Sequence, residues 1–153
     1  MLKTTLRTLV AVSALAMAGS AFAQKAEIGS SAEAKAMLEK AVAAVKGDKA
    51  KALTAFNAGT DGFKDRDLYP FCGNASDGQM VAHPSEAIRK LKLSDIKDKN
   101  NFALGAEMVK VAKEGAIAEV AYVWPKPSGG DPVAKVSYVT KAGDLICGVG
   151  YYK

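Results

Sequence analysis

Residues 117–152, IAEVAYVWPKPSGGDPVAKVSYVTKAGDLICGVGYY, decide the fold class of this chain. Three runs are rich in β-branched and aromatic residues, and they cover Ile117–Trp124, Val133–Thr140 and Leu145–Tyr152. The segments between them are rich in proline, glycine and aspartate, which is typical of strands joined by short turns. This stretch therefore predicts an antiparallel meander of three strands.

Two further strands are predicted upstream of the meander. Leu68–Cys72 and Gln79–His83 flank the turn-rich segment Asn74–Gly78, and this pattern predicts a hairpin. Pro70 is the difficult residue, because it has no N–H to donate to a sheet, and we expect it on an edge strand or at a bulge. The predicted sheet therefore has five strands.

The region before the hairpin has a helical pattern. Ser30 and Glu33 have the spacing of a capping box. Apolar residues then recur with helical periodicity at Ala34, Met37, Leu38, Ala41, Val42 and Val45. Gly47 interrupts this helix, and Asp48 can cap a second stretch that ends near Gly59. We expect a long, kinked, amphipathic N-terminal helix.

Two shorter segments between the hairpin and the meander also favour helices. Ser85–Leu91 predicts a short helix or turn, and Asn101–Lys113 predicts a helix that Gly115 terminates. The stripe expected to face the core in the second of these consists of Phe102, Ala106, Val109 and Ala112. The predicted fold class is therefore α+β, with helices packed on one antiparallel sheet.

The first 23 residues have the three parts of a secretory signal peptide. Lys3 and Arg7 precede the apolar run Leu9–Ala18, and the tripeptide Ala21-Phe22-Ala23 has small residues at the cleavage positions. The apolar run has about 10 residues, whereas a membrane-spanning helix needs about 20. We expect cleavage after Ala23, a periplasmic or secreted location, and a single domain over residues 24–153.

Removal of the signal peptide leaves a chain whose charges are nearly balanced. The full sequence has 21 basic and 16 acidic side chains, and loss of Lys3 and Arg7 lowers the net charge from +5 to +3. The lysines are scattered and do not alternate with aromatic residues, as they would in a nucleic-acid groove. We therefore expect no nucleic-acid partner.

The cysteines predict a constraint on the order of the strands. In an oxidising compartment the pair Cys72 and Cys147 is expected to form one disulfide. Because these residues lie on the predicted first and last strands, the two strands must be neighbours. Closing a loop of 75 positions restricts the unfolded chain by roughly 4 kcal/mol in the entropic account of disulfide stabilisation.

Few residues could carry out catalysis. His83 is the single histidine, and the chain has no phosphate-binding loop, zinc-ligand spacing or haem-attachment motif, so we expect no metal and no cofactor. A thiolate pair of Cys72 and His83 is the alternative to the disulfide, and a hydrolase built on it would still need an orienting acid. We expect the protein not to be an enzyme.

Aromatic residues and one lysine mark the predicted strands. By strand alternation three pairs of side chains share a face: Tyr69 with Phe71, Tyr122 with Trp124, and Lys135 with Ser137. An ammonium between aromatic walls can pair with a small anion, because exclusion of water strengthens the attraction. The alternative is that the aromatic residues belong to the core and that Lys135 is solvated.

A set of motifs gives the most specific signal in the chain. They are Asp67-Leu68-Tyr69 with Phe71, Asp77-Gly78, Ala82-His83-Pro84, Tyr122-x-Trp124-Pro125, Pro132-x-x-Lys135-x-Ser137-Tyr138-Val139 and Gly148-x-Gly150-Tyr151. In their order and spacing, across about residues 31–152, the chain resembles the single Cache domain of the second type. Pro70 and the two cysteines depart from the usual pattern of that family.

This resemblance implies a PAS-like sheet with strand order 2-1-5-4-3 and a long N-terminal helix. It also implies an extracytoplasmic sensor that binds a small organic acid, such as acetate, pyruvate or lactate. The ligand-binding residues it implies are Tyr69 and Phe71 as walls, His83 as a polar contact, Trp124 as a wall or lid, Lys135 as the carboxylate partner, and Tyr138. Alternation from Lys135 places Tyr138 on the opposite face of its strand.

The partners expected from the resemblance are a membrane-bound receptor or a sensor kinase. Typical members continue into a transmembrane helix and a signalling module, whereas this sequence stops at Lys153. We therefore expect a free periplasmic binding protein or a stand-alone domain. The alternative is an interaction module that docks a receptor, or forms a homodimer, through the helix over residues 31–57 and has no small ligand.

Overall fold

The structure, a computed structural model, describes residues 27–153, and the predicted signal peptide lies outside the described residues. Its strands are β1 (Pro70–Asn74), β2 (Met80–Ala82), β3 (Ala118–Trp124), β4 (Val133–Ala142) and β5 (Leu145–Tyr152). They form one antiparallel sheet in the order β2-β1-β5-β4-β3. The α+β class and the PAS-like strand order are therefore confirmed.

Four helices and one 3₁₀ turn accompany the sheet in this part of the chain. The helices are α1 (Ser31–Gly47), α2 (Lys49–Ala58), α3 (Glu86–Arg89) and α4 (Leu104–Val111), and the turn is Leu93–Asp95. One face of the sheet packs on α1 and α2, and the other packs on α4 and the 3₁₀ turn. The domain thus has one hydrophobic cluster on each side of its sheet.

The start of α1 has the predicted capping box. The Ser30 hydroxyl accepts the Glu33 N–H, and the Glu33 carboxylate accepts the Ser30 N–H at 2.8 Å. Asp48 then caps α2 by accepting the Lys51 N–H at 3.0 Å, and Gly59 ends that helix with a positive φ. The interruption at Gly47 and the second cap are confirmed.

The disulfide predicted between the first and last strands is present. Cys72 and Cys147 are directly opposite each other in the β1–β5 ladder, with their Cα atoms 4.2 Å apart. Both are fully buried on the face that packs on α1. The thiolate pair with His83 is therefore not formed, because both sulfur atoms are used in the bond.

Pro70 does not lie on an edge strand or at a bulge as we expected. It begins β1, which is an interior strand, and it pairs with Val149 of β5. On the other side, β2 pairs with Cys72 and Gly73 and does not extend to Pro70. The missing N–H therefore removes no ladder bond, which is why proline is tolerated at the first position of a strand.

The expected buried stripe of α4 is also wrong. Phe102 and Val109 are 40% and 42% exposed, whereas Leu104, Gly105 and Met108 are buried. The reason lies at Gly105, where a Cβ atom would come within 1.6 Å of the Leu93 carbonyl oxygen. Backbone contact with the 3₁₀ turn therefore selects the face of α4 that contains the glycine. None of the helices in residues 27–153 is long and apolar enough to cross a membrane.

Candidate functional site

A cavity lies between the sheet and the segment that contains α3 and α4. It holds about 390 Å³ of empty space, part of which opens to solvent. Its polar end is formed by Tyr69, His83, Tyr122, Trp124 and Lys135, and its apolar end by Phe71, Met80, Ile88, Leu93, Ile96, Leu104 and Met108. None of these lining side chains is acidic. We call this space the Lys135 cavity.

Lys135 points into the cavity because β5 leaves room for its side chain. Gly150 lies beside it, and a Cβ atom at that position would be 2.5 Å from the Lys135 Cε and 2.7 Å from the Ser137 Oγ. No real Cβ contact is that short, so a larger residue would displace the lysine. The glycine therefore supplies space rather than a turn.

The Lys135 ammonium is held between two tyrosines. Its Nζ lies 5.0 Å from the ring centroid of Tyr69 and 4.4 Å from that of Tyr152, distances at which a cation is attracted to a ring. Lys135 is only 3% exposed. Burial lowers its pKa to about 8, and the Asp67 carboxylate partly opposes this effect. Lys135 is therefore mainly positive at neutral pH.

Tyr152 orients the ammonium through a chain of hydrogen bonds. Its hydroxyl donates to the Pro125 carbonyl oxygen at 2.6 Å and accepts from the Lys135 Nζ at 3.5 Å. Between β3 and β4, the hydroxyls of Tyr122 and Ser137 are 2.7 Å apart. Burial raises the pKa of Tyr122 and of Tyr152, so both remain neutral hydrogen-bonding groups at physiological pH.

His83 is a neutral donor at the same end of the cavity. Burial, together with the charge of Lys135, lowers its pKa to about 4. Its Nδ1 accepts the Ser85 N–H at 2.9 Å, so the proton of the neutral ring is on Nε2. The ring also contacts Tyr69 edge to face, with the centroids 5.2 Å apart. His83 is therefore fixed as an N–H donor.

The chemistry of the polar end suits a small anion. It offers an ammonium, the Nε2–H of His83 and the hydroxyl of Tyr69, whose pKa burial and the nearby Asp67 raise to about 12. These groups can donate to carboxylate oxygens, and the apolar end can hold a short hydrocarbon part. Within residues 27–153, no group of three or more His, Cys, Asp or Glu side chains could hold a metal ion.

Five of the six predicted ligand-binding residues line the Lys135 cavity: Tyr69, Phe71, His83, Trp124 and Lys135. Tyr138 does not, and the prediction is corrected for this residue. Its hydroxyl lies 2.7 Å from the Ser31 Oγ of α1, and its ring stacks on Tyr151 at 5.7 Å. Strand alternation puts Tyr138 on the face opposite Lys135. Ligand binding by the other five stays a prediction.

Two features of the site were not predicted from the sequence. Tyr152 contacts Lys135 because the two are partners in the β4–β5 register, and that register was not predicted residue by residue. The apolar end comes mostly from residues 88–108, where side chains of α3, the 3₁₀ turn and α4 meet through tertiary packing. Tyr122 could have been predicted as a cavity residue, because strand alternation already placed it on the same face as Trp124.

Comparison with known proteins gives a family match over nearly all of the described chain. A family model described as "Cache domain" matches residues 28–153. A stretch of 91 residues, 58% of this chain, is 38% identical to the methyl-accepting chemotaxis protein McpP of Pseudomonas putida strain KT2440. That alignment spans only 16% of the length of McpP.

Solved structures with a similar fold include three sensor domains or receptors. A methyl-accepting chemotaxis protein from Vibrio parahaemolyticus has a TM-score of 0.64 at 24% identity, over 79% of this chain and 86% of that one, and shows likeness of fold alone. A periplasmic sensor domain of a chemotaxis protein has a TM-score of 0.58 at 26% identity, with 79% and 88% covered. A Cache chemosensory domain described for carboxylic acid recognition also has a TM-score of 0.58 at 26% identity, with 79% and 86% covered.

Proposed function

The chain belongs to the Cache domain family, and from this premise we propose that it is an extracytoplasmic sensor domain that binds a short carboxylate. One observation carries the proposal: the buried Lys135 ammonium faces a cavity that no acidic side chain lines. A buried charge is costly unless it is paired. A carboxylate ligand would supply the missing partner inside the cavity.

The surroundings of Lys135 favour a carboxylate over other small molecules. In a site shielded from water, the attraction between an ammonium and a carboxylate is stronger than it is in bulk solvent. The Nε2–H of His83 can donate to the same group, because its Nδ1 is already an acceptor for Ser85. The apolar end, which includes Met80 and Met108, favours a ligand with a short hydrocarbon part.

The relatives support both the class of ligand and the role in sensing. McpP is a methyl-accepting chemotaxis protein, and one similar solved domain is described as recognising carboxylic acids. We extend these descriptions to this chain as a proposal. Its partner would be a membrane-bound receptor or a sensor kinase that responds to the occupied domain.

The proposed location is the periplasm, after removal of residues 1–23. The buried bond between Cys72 and Cys147 supports this, because disulfides persist mainly in oxidising compartments. One similar solved structure is described as a periplasmic sensor domain. Cleavage after Ala23 can be read directly from the N-terminal sequence of the exported protein.

We propose binding rather than catalysis for this site. His83 is neutral, and the chain's two cysteines are joined to each other, so the polar end has no thiolate nucleophile. The alternative role as a homodimer through α1 has less support. The apolar stripe of α1, which includes Leu38 and Ala41, is buried against its own sheet.

A thermal-shift screen tests the proposal. Acetate, propionate, pyruvate and lactate are added to the wild-type protein and to Lys135→Met, with Lys141→Met as the control. Lys141 lies on the same strand but outside the cavity. At 100 times its Kd a ligand stabilises the folded protein by about 2.7 kcal/mol. We expect at least one acid to raise the melting temperature of the wild type and of Lys141→Met but not that of Lys135→Met. If none of the four acids raises the melting temperature of the wild type, the proposal is contradicted.

A further inference from the structure

Residues 91–113, which include the 3₁₀ turn and α4, form one wall of the Lys135 cavity, and we call them the strap. The strap side chains that line the cavity are Leu93, Ile96, Leu104 and Met108. At its start, the Leu91 carbonyl oxygen accepts the Met80 N–H of β2 at 3.1 Å. At its end, the Lys113 carbonyl oxygen accepts the Lys141 N–H of β4 at 3.2 Å. Backbone hydrogen bonds therefore fix both ends of the strap to the sheet.

Between these ends, the side chain of Asp98 links the strap to the sheet. Its Oδ2 accepts the Val123 N–H at 3.1 Å. Val123 lies on β3, at the edge of the sheet, between Tyr122 and Trp124, which both line the cavity. Within the described part of the chain, this is the one hydrogen bond that joins residues 94–112 to a strand. A single side chain therefore attaches the middle of the strap to the polar end of the cavity.

The other carboxylate oxygen of Asp98 organises its own loop. Its Oδ1 accepts the Asn100 N–H at 2.8 Å and the Phe102 N–H at 2.9 Å. The Asp98 N–H also donates to the Phe102 carbonyl oxygen at 3.0 Å. Asn101 has a φ of 63°, a conformation in which asparagine is enriched. The loop thus has a defined shape that directs Oδ2 towards β3.

Asp98 is only 9% exposed, and backbone N–H groups compensate its charge. Burial by itself would raise the pKa of this carboxyl group, but the N–H groups of Val123, Phe102 and Asn100 together lower it below its usual value. The carboxylate is therefore ionised at neutral pH. Hydrogen bonds to an ionised acceptor are stronger than those between neutral groups, which suits Asp98 as an anchor.

We propose that Asp98 is a positioning residue of the carboxylate site, which clamps the strap to β3 and so keeps the ligand enclosed between the strap and the sheet. The inference rests on the proposed function, since the enclosed ligand is the carboxylate proposed above. Asp98 does not line the cavity, so it acts on the ligand through Ile96 and Leu104 on either side of it in the chain. Loss of the clamp lets the strap move away from β3 and the ligand leave faster.

Two substitutions break the clamp from opposite sides. In Asp98→Asn the remaining oxygen is held by the two loop N–H groups, so the amide NH₂ faces the Val123 N–H, a donor against a donor. Val123→Pro removes the donor and leaves Asp98 intact, at an outward-facing position of an edge strand where proline is tolerated. The control is Asp48→Ala, which removes the cap of α2 on the other face of the sheet and lowers stability without touching the strap.

The first test needs no ligand and measures amide hydrogen exchange by NMR. Amides of α4 should exchange about tenfold or more faster relative to those of the interior strand β5 in both clamp variants. Their rates relative to β5 should stay as in the wild type in Asp48→Ala, because a global loss of stability affects both elements alike. If Asp98→Asn accelerates exchange at Val123 alone and leaves α4 at its wild-type rates, the inference is overturned.

The second test measures release of the ligand. Trp124 is the single tryptophan and lines the cavity, so its fluorescence can follow dissociation of an acid from the panel in a stopped-flow instrument. We expect the dissociation rate to rise about tenfold in Asp98→Asn and Val123→Pro and to stay unchanged in Asp48→Ala. Equal dissociation rates in the wild type and the clamp variants overturn the inference. If no acid binds, the proposed function fails while hydrogen exchange still decides the role of Asp98.

The wild-type protein decides the matter if neither clamp variant folds. Its amide exchange is measured at increasing urea concentrations below the unfolding transition. The Val123 amide and the α4 amides should exchange through one shared opening, with the same urea dependence and a lower free energy than the opening of β5. Separate openings of Val123 and α4 would mean that the strap moves independently of its bond to β3, and would overturn the inference.

Discussion

The Lys135 Nζ lies 4.4 Å from the ring centroid of Tyr152 and 3.5 Å from its hydroxyl oxygen. The two residues are direct partners in the β4–β5 ladder. The Tyr152 hydroxyl donates its proton to the Pro125 carbonyl, so its lone pairs remain for the ammonium. Register and hydrogen bonding together fix the position of the ammonium on which the proposed carboxylate binding depends.

Affinity for a carboxylate should depend on pH through Lys135. Because its pKa is about 8, the ammonium is intact below that pH and is lost above it. We expect a constant Kd for the tightest-binding acid of the panel between pH 6 and about 7.5, and a rise approaching tenfold per pH unit above the pKa. Calorimetric titrations across this range measure the profile. Unchanged affinity up to pH 9.5 would show that the charge of Lys135 is not used.

His83 should make the protein less stable as the pH falls below 6.5. The unfolded chain takes up a proton near pH 6.5, whereas the native ring does so only near its pKa of about 4. In that window the unfolded state binds more protons, so the free energy of unfolding rises with pH, by at most 1.4 kcal/mol per pH unit, about the linkage limit. His83→Asn removes this contribution.

Urea denaturation of the wild type and His83→Asn at pH 4.5, 5.5 and 6.5 measures the contribution of His83 to the free energy of unfolding. His83 is the single histidine, so the difference between the two proteins isolates its titration from that of the carboxyl groups. The wild type should lose stability relative to the variant at each lower pH. A difference that does not change with pH would mean that the native His83 protonates as readily as the unfolded one.

Gly150→Ala should damage the site by crowding it. The new methyl group would be 2.5 Å from the Lys135 Cε, so the side chain must move. Overpacking of this kind costs about 1–3 kcal/mol of stability, and displacement of the ammonium should lower carboxylate affinity about tenfold or more. Thermal melts and titrations with the same acid measure both effects.

Gly47→Ala is the matched control. A Cβ there meets nothing within 4 Å, and the residue is the last of α1. Alanine at a helical position is more favourable than glycine by roughly 0.5–1 kcal/mol. We expect unchanged affinity and equal or greater stability. Equal affinity in the two variants would contradict the role given to Gly150.

Loss of the disulfide should reduce stability without changing the site. The bond closes a loop of 75 positions, so its loss should cost up to about 4 kcal/mol. Cys72 and Cys147 are on the α1 side of the sheet, away from the Lys135 cavity. The Cys72→Ala/Cys147→Ala variant should therefore unfold at lower urea concentration while its folded form keeps its carboxylate affinity. Unchanged stability, or affinity lost in step with stability, would each contradict this prediction.

The order of the strands could be predicted because two independent signals agreed. The cysteine pair required β1 beside β5, and the resemblance implied the same PAS-like order. Alternation along β4 placed Lys135 on one face and Tyr138 on the other, as the structure has them. Such inferences succeed because strand geometry is local, repeating every two residues.

The incorrect predictions concern features that depend on contacts between distant residues. The buried face of α4 is set by the backbone contact of Gly105 with Leu93, which periodicity does not show. Pro70 is tolerated inside the sheet because β2 is only three residues long. The apolar end of the cavity depends on how α3, the 3₁₀ turn and α4 pack on the sheet. In each case tertiary packing overrides a local pattern.

Calorimetric titration of matched acids and amides tests carboxylate binding most directly. Acetate, propionate, pyruvate and lactate are compared with their primary amides, which have nearly the same shape and no charge, on the wild type, Lys135→Met and Lys141→Met. We expect the wild type to bind at least one acid about tenfold or more tightly than its amide. Lys135→Met should lose that preference and Lys141→Met should keep it. Equal affinity of the wild type for acid and amide, or tight acid binding by Lys135→Met, would contradict a carboxylate site built on Lys135.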